Sequence, residues 1–183
     1  VARGDAARLH HPITSARTPI PSRACPSRAT HCLPHAHSYA ARAVDYNPNK
    51  PFHIVTGGED RLVKFWDFRK PDTPLKVLLG HSHWVWTVSF NRFHDQLLLS
   101  GGTDSVVNLW RVSSISSAPL LELEGQNTKP DADVRVRAFD EHDESVYATA
   151  WSACDAWVFV SLSYDGRVVL NHVPSTEKYK ILL

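Results

Sequence analysis

From residue 36 onward the apolar residues arrive in short runs: PLKVLL (74–79), WTVSF (86–90), QLLLSGG (96–102), VVNLW (106–110) and VRVRAF (134–139). Gly, Asp, Asn and Pro separate them. Runs of this length, rich in branched and aromatic residues and bounded by turn formers, predict β-strands joined by tight loops. Residues 1–35 read differently. They show no apolar period, hold five prolines, and carry Arg3, Arg8, Arg17, Arg23 and Arg28 against Asp5. Such a stretch buries too little surface to offset the entropy of ordering and is expected to be a disordered tail.

The β-type region repeats itself. PFHIVTGGEDRLVKFWDF (51–68) superposes on DQLLLSGGTDSVVNLWRV (95–112) at an offset of 44, pairing Gly57 with Gly101, Asp60 with Asp104 and Trp66 with Trp110. The same offset carries Val44 onto Val88 and Tyr46 onto Phe90. A third copy follows at an offset of 61, where VYATAWS (146–152) matches VWTVSFN (85–91) and SLSYDGRVVLN (161–171) matches SGGTDSVVNLW. The 17 additional residues fall in SSISSAPLLELEGQNTKPDAD (113–133), read as a long surface loop in which PLLELE offers a short extra strand. The repeats therefore run over about 36–80, 81–141 and 142–183.

Each unit supplies about four strands, and a four-stranded sheet with two apolar faces cannot bury both alone. Stacking of successive units around an axis is the solution, which makes the chain an all-β protein built as a β-propeller. A closed ring takes about four to eight blades, so three antiparallel blades form a partial propeller with open ends. KYKILL (178–183) is expected to be the terminal strand, an unpaired edge that leaves the isolated chain poorly soluble or oligomeric. Period, strand count, the Trp66-Asp67 dipeptide, Gly80-His81 and Leu109-Trp110 together resemble the WD40 repeat family.

That resemblance implies a buried polar chain in each repeat. It is made of a His before the first strand, a Ser or Thr on the second, an Asp in the next turn and a Trp on the third. The second repeat supplies His81, Ser100, Asp104 and Trp110; the first supplies His37, Thr56, Asp60 and Trp66. The third supplies His142, Ser161 and Asp165, with Asn171 where the Trp is expected, so its network is weakened. An aspartate in a tight turn accepts from imidazole, imidazole meets the hydroxyl, and the hydroxyl accepts the indole N–H.

Composition narrows the function. The chain has 20 Lys+Arg against 19 Asp+Glu, a formal net charge of +1, and the tail's +4 leaves −3 for the remainder. That balance excludes a strongly basic nucleic-acid binder. No apolar run of about 18 residues or more exists, so membrane insertion is not expected and the location is read as intracellular. No methionine is present, which reads as a piece of a longer chain. Cys25, Cys32 and Cys154 are an odd set read as free thiols. Cys25, His31, Cys32, His35 and His37 lack a CxxC pair and are not taken as a metal site. Gly57-Gly58 and Gly101-Gly102 open no helix, which argues against a phosphate loop and for turn geometry. His, Asp and Ser recur in every unit, whereas a hydrolase needs one activated nucleophile; the pattern reads as a fold device, with no catalysis and no cofactor.

Exposed aromatics are the better functional signal. If Val85, Val88 and Phe90 face the core, Trp86 does not, and it is expected on the propeller rim beside Trp84. Arg42 and Tyr147 occupy the same register position, and Tyr164 precedes Asp165. These residue types are enriched at binding hot spots. Packing of Trp86 between blades is the open alternative. Glu122, Glu124, Asp131, Asp133, Asp140, Glu141, Asp143 and Glu144, tempered by Lys129, Arg135 and Arg137, read as a solvated face, with steering of a basic partner as the alternative.

The words VDYNPNKP, VKFWDFRK, HSHWVWTVSFN, HDQLLLSG, EHDESVYA, LSYDGRVV and KYKILL are similar to the C-terminal part of the WD40 family that interacts with the EARP and GARP complexes. The resemblance implies a non-catalytic adaptor whose partners are subunits of endosomal and trans-Golgi tethering complexes. It implies action in endosomal recycling and retrograde transport, in the cytoplasm at the periphery of those membranes. The alternative is a WD40 subunit of a ubiquitin ligase or a chromatin scaffold.

Overall fold

The computed structural model describes residues 32–33, 35–117 and 133–182. Eleven strands form three antiparallel sheets. The first contains β1 (Ala41–Tyr46), β2 (His53–Gly58), β3 (Leu62–Asp67) and β4 (Lys76–Leu79) in sequential order. The second contains β5 (Val85–Phe90), β6 (Leu97–Gly102), β7 (Val107–Arg111) and β8 (Val134–Phe139). Among the described residues the third contains β9 (Val146–Trp151), β10 (Val158–Ser163) and β11 (Val168–His172). Three stacked meanders of this kind are an arc of a propeller, with β1, β5 and β9 as neighbouring inner strands.

Alternation places the core. Leu98, Trp110 and Val112 of the second sheet pack with Val55, Val63, Phe65 and Leu78 of the first. From the opposite face Leu97, Leu99, Val107 and Leu109 meet Val146 and Phe159 of the third. The second sheet is thus buried on both sides, and every residue of β6 and β7 is buried. The paired glycines correct the expectation of turn geometry. Gly57 and Gly101 lie inside strands, where a Cβ would come within 2.7 Å of Val85 and 2.9 Å of Val146 on the next sheet. They are there for close approach between blades.

A repeated amide also staples the blades. Asn47 Oδ1 accepts from the N–H groups of Asn49 and Lys50 while its Nδ2 donates to Asp95 Oδ2 across the blade boundary at 3.1 Å. Asn91 does the same one blade on, accepting from Phe93 and His94 and donating to the Ala156 carbonyl at 2.6 Å. Ser152, the equivalent residue of the third copy, keeps the turn bonds, from Cys154 and Asp155.

The end of the chain departs from expectation. KYKILL is not a strand: Ser175–Leu182 forms helix α1, and among the described residues the third sheet has three strands. Pro174 ends the preceding extended segment, and its carbonyl accepts the Glu177 and Lys178 N–H groups. Glu177 and Ile181, spaced i,i+4, point inward together. The Glu177 carboxylate pairs with Arg111 of β7 at 2.8 Å in a buried setting, and Ile181 packs on the second core cluster. With a helix here, KYKILL is no edge strand, and β11 is the outermost strand of its sheet.

Within 113–133, Ser113–Ile115 is a 3-10 turn, and PLLELE, Glu122, Glu124, Lys129 and Asp131 lie outside the described residues. Asp133 is not solvated acid: its carboxylate is buried, pairs with Lys76 at 2.8 Å and accepts from Ser114. Most of the expected tail also lies outside the described residues, but Cys32 is disulfide-bonded, against the free-thiol expectation, whereas Cys154 is free and exposed.

Candidate interaction rim and the networks beneath it

The three polar chains have one geometry. In the first blade His37 Nδ1 lies 2.7 Å from Asp60 Oδ1 and Nε2 lies 2.7 Å from Thr56 Oγ1, which also accepts the Trp66 indole N–H at 2.9 Å. In the second, His81 Nδ1 lies 3.0 Å from Asp104 Oδ2, Nε2 lies 2.7 Å from Ser100 Oγ, and Trp110 donates to that hydroxyl at 2.8 Å. In the third, His142 Nδ1 lies 3.2 Å from Asp165 Oδ2 and Nε2 lies 2.8 Å from Ser161 Oγ. One proton order satisfies all of it: indole N–H to hydroxyl, O–H to Nε2, and Nδ1–H to carboxylate. The third chain lacks its last member, and the buried Asn171 Nδ2 has no acceptor among the described residues.

Each aspartate also closes its turn. Asp104 accepts from the N–H groups of Ser82 and Val106, and Asp165 accepts from those of Asp143 and Arg167. Burial opposes ionisation at Asp60, but hydrogen bonds and charge from His37 and Lys64 win and hold the carboxyl down to about 2. Burial likewise opposes ionisation at Asp104 and Asp165, and the same kind of donors lower both. The hydroxyls are shut away: Ser100 is 0% exposed and Ser161 1%. A buried hydroxyl is not presented to a substrate, although His–Asp–Ser distances alone resemble a hydrolase triad. One position the sequence reading missed is that of Lys64 and Asn108. Lys64 pairs with Asp60 at 3.1 Å, and Asn108 Nδ2 lies 3.0 Å from His81 Nε2.

Above these networks the inner strands share a defect that serves the rim. Pairing slips by one residue between Ala41 and Ala43, between Val85 and Thr87, and opposite Leu162/Ser163 between Val146 and Ala148. The extra residue of each bulge is Arg42, Trp86 or Tyr147. A bulge re-aims the side chain it inserts, which breaks strict alternation and turns these three outward. The spacing of the buried Val85 and Val88 carries that signal, since an unbroken strand would place them on opposite faces.

The bulge residues and the turn residues Glu59 and Tyr164 make one ladder across three blades. Arg42 forms an ion pair with Glu59 and its guanidinium lies 5.8 Å from the Trp86 ring centroid. Trp86 meets Tyr164 edge-to-face at 6.3 Å, and Tyr164 lies 4.8 Å from Tyr147. Tyr147 and Tyr164 are 41% and 64% exposed, Arg42 is exposed and Trp86 half-buried. Trp86 therefore packs between blades and shows a surface, which joins the two alternatives; its Nε1 is buried without an acceptor among the described residues. Trp84 is half-buried with its ring 5.0 Å from His83, and no ring contact among the described residues joins it to the ladder. At the other end of the inner strands, Asp45, Tyr46, Ser89, Phe90, Arg92 and Trp151 line an open cleft of 270 Å³. There the Asp45 carboxylate is engaged by the N–H groups of Tyr46 and Phe90. No helix among the described residues is long and apolar enough to cross a membrane.

Known proteins are similar in sequence to this chain. Residues 23–110 match the EIPR1 beta-propeller family, and residues 133–170 match the WD domain, G-beta repeat. The chain is 44% identical over 167 residues to the EARP and GARP complex-interacting protein 1 of Homo sapiens, covering 84% of this chain and 43% of that protein. It is 41% identical over 155 residues to the EARP-interacting protein 1 of Caenorhabditis elegans, covering 80% of this chain and 43% of that one. It is 39% identical over 132 residues to the WD repeat-containing protein DWA2 of Arabidopsis thaliana, covering 72% and 38% respectively. The chain spans less than half the length of these relatives. Three stacked meanders, a His–Ser/Thr–Asp chain in each and the two matching profiles make the chain a partial WD40 β-propeller.

Proposed function

We propose that this chain is a non-catalytic adaptor whose rim captures subunits of EARP- and GARP-type tethering complexes, in endosomal recycling and retrograde transport, in the cytoplasm at the periphery of endosomes and the trans-Golgi network. The observation that carries the reading is the continuous Arg42–Trp86–Tyr164–Tyr147 surface, assembled from equivalent bulges of three blades. Trp and Tyr combine large contact area with few rotatable bonds and Arg adds a planar cation, and a contiguous row of them, exposed at Arg42, Tyr147 and Tyr164, is more than a folded surface requires. The relatives' names supply the partner class. The polar networks serve the frame: their hydroxyls are buried and their geometry recurs in every blade, so they hold the surface rather than transform a ligand.

The test is co-precipitation of the full chain with purified tethering-complex subunits, with Trp86→Ala and Tyr147→Ala as variants whose melting is checked in parallel. The expected result is capture by the parent chain and its loss in folded variants. Undiminished capture by the variants would refute the rim assignment. Recovery of cullin adaptors or histones without tethering subunits would move the chain to the alternative WD40 roles.

A further inference from the structure

The third-blade end of the rim has a chemistry of its own. The Tyr147 and Tyr164 rings are the most open aromatic members of the ladder. The loop that leads into β9 carries Asp140, Glu141, Asp143 and Glu144, all exposed. Of these, Asp143 pairs with Arg167 at 2.6 Å. No ion pair engages the carboxylates of Asp140, Glu141 and Glu144 among the described residues. The nearby cations of β8 are occupied, Arg135 with the Gly80 carbonyl and Arg137 over the Phe139 ring at 4.7 Å. At the first-blade end, by contrast, the Arg42 cation is already matched by Glu59.

We infer that the rim recognises a cationic, extended peptide segment, with an arginine side chain seated on Tyr147 and Tyr164 against the Glu141/Glu144 edge. This deepens the adaptor reading and rests on the rim being its docking surface. Two arguments select the occupant. An aromatic face attracts a cation through its quadrupole, and a planar guanidinium stacks on it with its N–H groups left free to pair with carboxylates. The exposed acids of the loop whose Ser145 carbonyl accepts the Tyr164 N–H disfavour phosphate there, which argues against nucleic acid and anionic headgroups as ligands. The extended form follows from the ladder, a row of side chains crossing three blades.

The experiment is fluorescence anisotropy of labelled octapeptides, an Arg-Gly repeat, a Lys-Gly repeat and a Glu-Gly repeat, against the full 183-residue chain. The Arg peptide should bind, the Lys peptide more weakly and the Glu peptide not at all. Tyr147→Ala with Tyr164→Ala should weaken Arg-peptide binding about tenfold, whereas the paired Tyr→Phe changes should preserve it. Glu141→Gln with Glu144→Gln should weaken binding and flatten its salt dependence. Circular dichroism melts confirm that each variant folds. The inference is overturned if the Arg peptide fails to bind, if the Ala pair binds it as well as the parent, or if the Glu peptide binds equally. Tethering-subunit capture that Trp86→Ala removes but the Tyr147/Tyr164 pair leaves intact would keep the adaptor reading and refute this one.

Discussion

The Asp104 carboxylate sits at the joint of the best-formed blade, and replacing it by alanine has a cost that follows from its partners. It accepts from His81 Nδ1 at 3.0 Å, from the Ser82 N–H at 2.9 Å and from the Val106 N–H at 3.4 Å. The imidazole is buried, so removing the acceptor leaves an Nδ1–H without a partner and frees the ring to turn away from Ser100. A hydrogen bond to a charged group contributes about 1.5–3 kcal/mol and an orphaned buried donor costs about 1–3 kcal/mol, so Asp104→Ala should destabilise by about 3 kcal/mol. At about 2–4 °C per kcal/mol for a chain of this size, the melting temperature falls by about 6–12 °C. Urea and thermal unfolding followed by circular dichroism measure both quantities. Because Asp104 and Ser100 act through the same imidazole, the loss in the Asp104→Ala, Ser100→Ala double variant should fall short of the sum of the single losses by about 1 kcal/mol. Asp165→Ala should cost less than Asp104→Ala, since Ser161 holds no indole donor and that network is already short of one member. Melting of Asp104→Ala within about 1 °C of the parent, or full additivity in the cycle, would refute a cooperative network.

Acid should unlock the same joints. The Asp60 carboxyl is held down to about 2 against an ordinary 3.8, so its contribution, about 2 kcal/mol, is fully present above the unfolded value and is lost as pH falls through the folded one. Asp104 and Asp165 are lowered as well and act in the same direction. The urea midpoint should therefore hold steady down to about pH 5 and drop towards about pH 2, with a shallower drop in Asp60→Asn; a flat midpoint across that window would exclude the linkage. Ser105 sits at φ 63, in the left-handed region, where the equivalent residue of the third blade is Gly166 at φ 78. Ser105→Gly should relieve strain beyond the chain entropy it adds, stabilising by about 0.5–1 kcal/mol. A lower melting temperature for that variant would contradict the strain.

The strands were legible because their signals are local and repeated. Val63, Phe65 and Trp66 align with Val107, Leu109 and Trp110, and an offset held over so many positions leaves one pleat and one set of turns. Three features needed the third dimension. KYKILL alternates Tyr179 and Ile181 with lysines, which suits a strand, and only the inward pair of Glu177 with Ile181, fixed by Arg111 on a distant β7, makes a helix the better burial. Gly57 and Gly101 resemble turn glycines along the chain; their reason is a valine on the neighbouring blade. The acid of Asp133 reads as solvated until Lys76, from another blade, is seen to cover it. At the rim the residue types were readable, but their contiguity was not, because Tyr164 reaches Trp86 only across a blade boundary.

Network and rim are one construction. Glu59, Thr103 and Tyr164 are each the residue immediately before a network aspartate, Asp60, Asp104 or Asp165, and each bulge residue follows its network histidine by five positions. Fixing the His–Asp contact fixes both loops between which the rim side chains emerge. In the second blade this is visible in the backbone, where the Thr103 N–H donates to the Trp84 carbonyl at 3.0 Å beside the bulge at Trp86. In the proposed docking, the rim side chains would be positioned by buried atoms beneath them, which lowers the entropy lost on binding. It follows that a network change such as Asp104→Ala weakens capture by loosening the Trp86 bulge even at temperatures where the blade stays folded, while a rim change such as Tyr147→Ala weakens capture without moving the melting curve. The two kinds of defect separate on a plot of affinity against stability, and a shared trend line for both would mean that the rim side chains act only as structural packing.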